Sequence, residues 1–259
     1  MSDLKKIIKT IKISSGDDTA VTRNLTKVIQ EVTLAVHVNG KHLANIACAG
    51  IHLEELAAGF LRSERIIARG SDIEEIKMNK KKPLVDVILK KKTDCLPASV
   101  KNIASSGARG KSNMDLLKPL SPAKDFKIKT RVALKLMEEL LNNSAVHNQT
   151  GGTHCSALAM GKKIVALRED IGRHNTIDML GGYALLQKIN LQQAMILTTG
   201  RISSEIVYKV WNMGIPTIIS HSAPTANAVA LSDKANILLI GYVRHGRMNI
   251  YSHERRVII

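Results

Sequence analysis

The chain has 259 residues, 44% of them apolar, which is enough for one large domain or for a large domain with a small satellite. Its 38 Lys and Arg outnumber its 22 Asp and Glu, so the formal net charge is +16. This balance favours an anionic partner such as nucleic acid, a phosphate-rich cofactor or an acidic protein, although a solvated lysine-rich surface explains many charges equally well. Because aromatic residues make up only 3%, stacking platforms for nucleic acid are scarce, and a nucleic-acid partner is not expected.

Three cysteines, Cys48, Cys95 and Cys155, are widely spaced along the chain. Their odd number and their spacing argue against a disulfide framework and fit a reducing compartment. No apolar run approaches the length of a membrane span, and the first residues lack the apolar core of a signal peptide. We therefore expect a cytoplasmic protein without a membrane segment.

The N-terminal half predicts a small α+β region. Residues 1–25 alternate basic and small polar types, which predicts a mobile arm or an edge strand. Apolar residues alternate over 32–38 and predict a strand that ends in a hairpin turn at Asn39-Gly40, while helical spacing over 53–61 predicts a helix. Glu54 and Glu55 fall on the wet face of that helix. Two further strands are predicted over 73–78 and 84–89.

Residues 93–129 sustain no period and are rich in Ser, Gly, Lys and Pro, which predicts a mobile or functional loop. Thr130 is predicted to cap the helix that follows. From there on strands and helices alternate, which predicts an α/β layered sandwich whose mixed sheet is largely parallel in this half. We therefore predict three parts: an arm over 1–25, an α+β region over 26–129 and an α/β domain over 130–259.

Polar residues concentrate where the predicted strands of the second half end. The stretch around His154 and the stretch Arg168 to Asp178 flank one predicted hairpin, and the mixture of charged and polar groups is typical of a site rather than of a core. Within it, Arg173 and His174 are interpreted as site residues and Asp178 as a structural partner.

Two strand-to-helix turns have the composition of an anion site. Thr198 to Ser204 places a glycine, an arginine and hydroxyl groups at a helix N-terminus, where free N–H groups and the helix dipole favour an anion. Ser220 to Thr225 forms a second such turn. Ligands of α/β sheets gather at the carboxyl ends of strands, so the two turns together predict a ligand with several phosphates. The alternative is that Ser203, Ser222 and Thr225 only cap helices.

Several motifs, in order, resemble one family, the formate dehydrogenase accessory sulfurtransferases or FdhD family. They are Thr150-Gly-Gly-Thr-His154, Arg168-Glu-Asp-Ile-Gly-Arg-His-Asn175 with Asp178, Thr199-Gly-Arg-Ile-Ser-Ser-Glu205, the segment 220–228, the segment 241–247 and, further back, 54–61. The resemblance implies a cytidine-deaminase-like fold. It also implies a protein that receives sulfur from a cysteine desulfurase and passes it to the molybdenum bis(molybdopterin guanine dinucleotide) cofactor of formate dehydrogenase.

Together, these residues and the resemblance give a predicted site for that cofactor or for a guanine nucleotide. Its members are Arg168, Arg173, His174, Gly200, Arg201, Ser203, Ser222, Tyr242, Val243, Arg244, His245, Gly246 and Arg247. The segment from Tyr242 to Arg247 is included because the resemblance associates it with the guanine dinucleotide end of the cofactor. We also expect a homodimer, the commonest oligomer of soluble proteins.

One departure from the family concerns its sulfur-carrying loop. Ser106 and Arg109 stand where the family has the two cysteines of a Cys-x-x-Cys loop. Two hypotheses follow: a sulfur carrier that uses another thiol, or an accessory protein that binds the cofactor without covalent sulfur chemistry.

Cys155, beside His154, is the best remaining carrier if the imidazole activates the thiol, and the alternative is a small buried thiol. Neighbouring residues of a strand point to opposite faces, which counts against the pair. Zinc deamination is rejected, because that chemistry requires His-x-Glu and Cys-x-x-Cys, and the sequence has no Cys-x-x-Cys and no Glu two residues after His154.

Overall fold

The computed structural model describes residues 7–79, 81–91, 99–105, 118–121 and 126–259. Cys95, Ser106 and Arg109 lie outside the described residues, as does most of the predicted loop over 93–129. No helix in the described part is long and apolar enough to cross a lipid bilayer.

The N-terminal residues form a hairpin followed by a five-stranded sheet. Strands β1 (Ile8–Gly16) and β2 (Val21–Ile29) pair antiparallel, so much of the predicted arm is a hairpin. The sheet has the order β5-β6-β3-β4-β7, with strands β3 (Val32–Val38), β4 (Lys41–Cys48), β5 (Ile73–Met78), β6 (Leu84–Leu89) and β7 (Lys101–Ile103). The predicted turn is confirmed, because Asn39 and Gly40 both have positive φ, 50° and 78°.

Helix α1 (Leu53–Ser63) covers one face of this sheet. Its apolar positions recur at helical spacing, and Leu56, Phe60 and Leu61 are fully buried against Leu34 and Val85 of the strands. The helix and strands predicted from the periodicity of this region are therefore confirmed.

The C-terminal half is built on a six-stranded sheet of order β10-β9-β11-β12-β13-β14. Its strands are β9 (His154–Met160), β10 (Lys163–Asp170), β11 (Ala194–Thr198), β12 (Thr217–Ser220), β13 (Leu238–Arg244) and β14 (Arg247–Ser252). Only β11, β12 and β13 pair in parallel. The hairpins β9–β10 and β13–β14 make both sides antiparallel, so the mixed sheet is confirmed but the expectation of a largely parallel one was wrong.

Helices cover both faces of the six-stranded sheet. Helix α2 (Thr130–Asn142) packs on one face, with Leu136 and Leu140 against Ala157 and Leu197. It is preceded by β8 (Ile128–Lys129), which pairs with β15 (Val257–Ile258), and followed by the short α3 (Ala145–Thr150). The N-cap of α2 is Lys129, not the predicted Thr130.

The opposite face carries α4 (Arg173–Leu186), α5 (Ser204–Met213) and α6 (Ala226–Lys234). Two glycines bring the N-terminal helix α1 into backbone contact with α4. A Cβ on Gly59 would lie 1.8 Å from the carbonyl oxygen of Asp178, and one on Gly182 would lie 1.9 Å from that of Glu55. No side chain fits at either position, so the two helices cross as closely as their backbones allow. The five-stranded and six-stranded sheets are therefore joined through the α1–α4 contact.

Candidate functional site

Three helix N-termini meet at one edge of the six-stranded sheet. Strand β9 is antiparallel to both β10 and β11, so β10 runs in the same direction as the parallel set β11, β12 and β13. Helices α4, α5 and α6 begin directly after β10, β11 and β12. Their free N–H groups and positive dipole ends therefore point to this carboxyl edge, where anions bind favourably.

A first cluster of cationic groups lies at the start of α4 and at the end of β11. A Cβ on Gly200 would lie 3.0 Å from Arg173 Cβ and 3.6 Å from His154 Nδ1, so glycine lets the backbone approach both side chains. Burial, and after it the charges of Arg173, His147 and Arg201, lower the pKa of His154. Burial and the charge of Arg201 also lower the pKa of Arg173. Positive charge is concentrated here before any ligand is present.

Two buried polar atoms near this cluster have no hydrogen-bond partner among the described residues. They are Arg173 Nε and Ser203 Oγ. Ser203 is the N-cap residue of α5, but its side chain makes no capping bond. Thr225, in contrast, caps α6 by accepting a hydrogen bond from the Ala228 amide at 3.2 Å. The capping alternative therefore holds for Thr225 and not for Ser203.

The loop after β12 connects this cluster to the β13–β14 turn. Ser220 Oγ donates to the Gly200 carbonyl at 2.8 Å and accepts from the Ser222 amide at 3.0 Å. The Ser222 carbonyl then accepts from the Tyr242 amide at 3.0 Å. These hydrogen bonds connect the loop after β11, the loop after β12 and the end of β13, and so fix their spacing along the edge.

The β13–β14 turn carries a second group of cations. Tyr242, His245 and Gly246 have positive φ, and Arg244 Cζ lies 3.5 Å from the centre of the Tyr242 ring. Burial, together with the charges of Arg244 and His245, lowers the pKa of His221 in the neighbouring loop. The two groups of cations thus share one edge of the sheet.

Two predicted members of this turn differ in their surroundings. Val243 is 2% exposed and packs in the core beneath α2, so its side chain contributes to folding. Arg247 is exposed at the first position of β14, where its backbone pairs with Arg244.

A cavity of about 590 Å³ separates the same turn from α2. Arg131, Lys135 and Glu138 of the helix line one side, and Arg244 and His245 line the other. The α2 residues were not predicted as site residues, since at helical spacing they have the pattern of an ordinary solvated face.

The structure assigns Arg168 a different role from the predicted one. Its Nε donates to Glu55 Oε2 at 2.5 Å and its Nη2 to Glu55 Oε1 at 2.7 Å, while Nη1 donates to the Leu167 carbonyl. The guanidinium also lies 4.9 Å from the centre of the Tyr183 ring. The ion pair of Arg168 with Glu55 therefore links β10 to α1. The prediction that Glu55 lies on a solvent-exposed face of the helix was wrong.

Cys155 is buried on the α2 side of the sheet, whereas the next residue, Ser156, bonds Thr176 of α4 on the other side. His154 lies beside Arg173 and Gly200 at the edge, so its imidazole is not placed to activate the Cys155 thiol as the sequence had suggested. Burial raises the pKa of Cys155 to about 12 and that of Cys48 likewise to about 12. Both described thiols are protonated near neutral pH and poor nucleophiles.

Asp170 fixes the turn that leads into α4. Its carboxylate accepts from the Ala49 amide at 2.8 Å, the Gly172 amide at 3.0 Å and Asn175 Nδ2 at 2.7 Å. Burial nevertheless raises its pKa to about 6. The carbonyl oxygen of Ser105 approaches the same turn, 3.0 Å from where a Cβ on Gly172 would lie. The backbone that precedes the altered Ser106–Arg109 loop is therefore next to the site.

The two remaining predictions concern α4. Asp178 accepts hydrogen bonds from Ser63 Oγ at 2.6 Å and from Lys209 Nζ, which confirms its structural role. His174 Nε2 lies 3.1 Å from Glu205 Oε2 in the first turn of α5. Among the described residues, no group of three His, Cys, Asp or Glu side chains is arranged to hold a metal ion.

These features define a layered α/β protein with a cationic edge. Residues 29–258 match the model of the FdhD/NarQ family, and the chain belongs to that family. Relatives named Sulfur carrier protein FdhD include those of Bacillus licheniformis, 32% identical over 98% of both chains, and Geobacillus kaustophilus, 34% identical over 90% of both chains. The crystal structure of a protein assigned as a formate dehydrogenase accessory protein from Desulfotalea psychrophila has a TM-score of 0.82. It is 24% identical and covers 97% of this chain and 100% of the other.

Proposed function

We propose that this protein serves the maturation of formate dehydrogenase as a sulfur carrier, in the way that the names of its relatives state. We propose further that its cationic edge binds the molybdenum bis(molybdopterin guanine dinucleotide) cofactor. The observation that supports this most is the meeting of three helix N-termini with Arg173 and Arg201 at the carboxyl edge of the sheet. A cofactor with several phosphates matches that arrangement in charge and in hydrogen-bond donors.

The residues at the edge fit such a group. Arg173 Nε and Ser203 Oγ have no hydrogen-bond partner among the described residues, and Gly200 lets the backbone pack close against Arg173 and His154. Arg173, Arg201 and Ser203 would hold one phosphate-bearing part, and Arg244 and Arg247 at the neighbouring turn would hold another. When bound, the cofactor supplies the metal centre that receives sulfur. The protein neutralises the phosphate charge and fixes the position of the cofactor.

The proposed partners are a cysteine desulfurase as sulfur donor and formate dehydrogenase as client. A homodimer, a cytoplasmic location and the cytidine-deaminase-like classification of the second half remain part of the proposal. That classification is supported by the arrangement of one mixed sheet between α2 and the helices α4, α5 and α6.

The nucleotide part of the proposal is tested by titration with guanosine diphosphate. Arg201→Ala and Arg247→Ala are each expected to weaken binding by about 1.5–3 kcal/mol, roughly tenfold to a hundredfold, because each removes a charged hydrogen bond. Affinity should also fall as salt rises. Lys162→Ala is the matched control, because it removes one positive charge from the exposed turn at the opposite end of β9. Unchanged affinity in both arginine variants would refute the assigned site.

The sulfur part is tested by mass spectrometry after incubation with a cysteine desulfurase and cysteine. A receiving thiolate attacks the outer sulfur of the desulfurase persulfide, gains that sulfur and releases the desulfurase thiol. The burial of Cys48 and Cys155 predicts that neither is modified in the native protein, so a gain of one sulfur should map to Cys95. Absence of any sulfur gain would remove the carrier role and leave only a cofactor-binding role.

A further inference from the structure

His154 lies where several cationic elements meet. Arg173 from α4, Arg201 from the loop after β11 and His147 from α3 all act on its imidazole. His147 is itself fixed, since its Nδ1 lies 2.6 Å from the Thr153 carbonyl. The imidazole is half-buried, and a Cβ on Gly200 would lie 3.6 Å from its Nδ1 and 3.0 Å from Arg173 Cβ, so both side chains pack against the same backbone.

The carboxylates in this region already have other partners. Asp170, the cross-strand neighbour of His154, accepts from the Ala49 and Gly172 amides and from Asn175 Nδ2. Glu169 accepts from the Val146 amide at 3.0 Å and from the His147 amide at 2.7 Å. Glu205 lies 3.1 Å from His174 Nε2 and acts on Arg173. The groups that act directly on His154 are therefore cationic or titratable to a cation, and a proton on its imidazole meets repulsion while no anion is bound.

We propose that His154 is a ligand-binding residue of the edge and that it takes up one proton from solvent when an anion binds there. The inference rests on the proposed anion site, but not on the identity of the cofactor. A bound phosphate or sulfate group offsets the charges of Arg173 and Arg201 and supplies an acceptor for the second imidazole N–H. The protonated imidazole then donates to the anion, and both of its nitrogens are donors.

Two consequences follow from this coupling. The affinity of the edge for a dianion rises as pH falls, by up to about tenfold per pH unit between the pKa of the free and of the bound imidazole. The edge also selects dianions over monoanions, because three positive groups face the ligand once His154 is charged. Burial and the neighbouring cations hold the pKa of the free imidazole below its ordinary value. The imidazole therefore takes up its proton when the anion binds, not before.

The test is an NMR titration of the histidine C–H resonances of the whole protein in sulfate and in chloride at equal ionic strength. Sulfate is the probe because it stays a dianion across the pH range used. The His154 resonance, identified by its loss in His154→Gln, should titrate below about 6.5 in chloride and at least about one pH unit higher in saturating sulfate. At one fixed pH, the chemical shift of His42, on strand β4 of the five-stranded sheet, should be the same in both salts.

Two variants distinguish a failure of the proton uptake from a failure of the proposed binding site. Arg201→Met should raise the pKa of the free imidazole, because it removes one repelling charge, and should shrink the shift caused by sulfate. His154→Gln should bind guanosine diphosphate more weakly than wild type at low pH, and the dependence of its affinity on pH should be shallower. If sulfate leaves the His154 resonance unmoved while Arg201→Ala weakens guanosine diphosphate binding, the proton uptake is refuted and the site stands. If sulfate leaves the His154 resonance unmoved and neither Arg201→Ala nor Arg247→Ala weakens guanosine diphosphate binding, both are overturned.

Discussion

Asp170 gives a sharp test of how the turn before Arg173 is held. Its buried carboxylate accepts three hydrogen bonds, from the Ala49 and Gly172 amides and from Asn175 Nδ2. Replacing it by asparagine keeps the shape and one acceptor but removes the titration. The perturbation is therefore Asp170→Asn, compared with wild type over a range of pH.

The magnitude follows from the pKa of the carboxyl, which burial raises from 3.8 to about 6. The folded protein thus binds this proton more tightly than the unfolded chain does. The protonated Asp170 carboxyl therefore contributes on the order of 3 kcal/mol to the free energy of unfolding. This contribution is fully present below pH 3.8 and is lost as pH rises through about 6. Between pH 4.5 and 7 the change is about 2 kcal/mol.

The assay is urea denaturation of both proteins at pH 4.5 and at pH 7. The free energy of unfolding of wild type, minus that of Asp170→Asn, should fall by about 2 kcal/mol between the two pH values, because other groups cancel in the difference. Asp72→Asn is the control whose difference from wild type should change little between these pH values. The backbone amides of Arg69 and Ala68 lower the pKa of Asp72 from 3.8, so its contribution is lost only at pH values below the assay range. A difference for Asp170 that stays constant or grows with pH would refute the role of burial.

Two further predictions concern the contact between the N-terminal and C-terminal parts. Glu55→Gln should cost about 1.5–3 kcal/mol of stability by breaking the bidentate pair with Arg168, and guanosine diphosphate affinity should be unchanged, which denaturation and titration together check. Gly182→Ala should cost more than about 3 kcal/mol, because its Cβ would meet the Glu55 backbone, whereas Gly181→Ala meets only the flexible side chain of Met213 and should cost less. Equal melting temperatures of the two glycine variants would contradict the close helix crossing.

The local part of the fold could be predicted from the sequence. Alternation over Val32–Val38 and helical spacing over Leu53–Ser63 depend only on neighbouring residues, and both elements are present. The strand-to-helix turn after β11 was also predictable, because a glycine, an arginine and hydroxyls at a strand end are typical of a helix N-terminus wherever the strand lies. Gly200 and Ser203 accordingly lie at the predicted position.

Properties that depend on distant residues could not be predicted in this way. Arg168 has the composition of a site residue, but it is bound by Glu55, 113 positions earlier, and no local pattern connects the two. Cys155 looked reactive beside His154, yet its side chain faces α2 because strand neighbours point to opposite faces. Which face becomes buried is decided by the layer that packs there.

The proposed anion edge depends on both parts of the chain, although its cationic residues all come from the second. Helix α4, which carries Arg173 in its first turn, is held at its start by the hydrogen bond that the Ala49 amide donates to Asp170. Along its length it is held by the backbone contact at Gly182 and by the bond from Ser63 to Asp178. An arginine side chain binds an anion with high affinity only when its helix is fixed in advance, since ordering it on binding costs free energy. The five-stranded sheet and α1 therefore act on the site by positioning α4, without contributing a charged group to the edge.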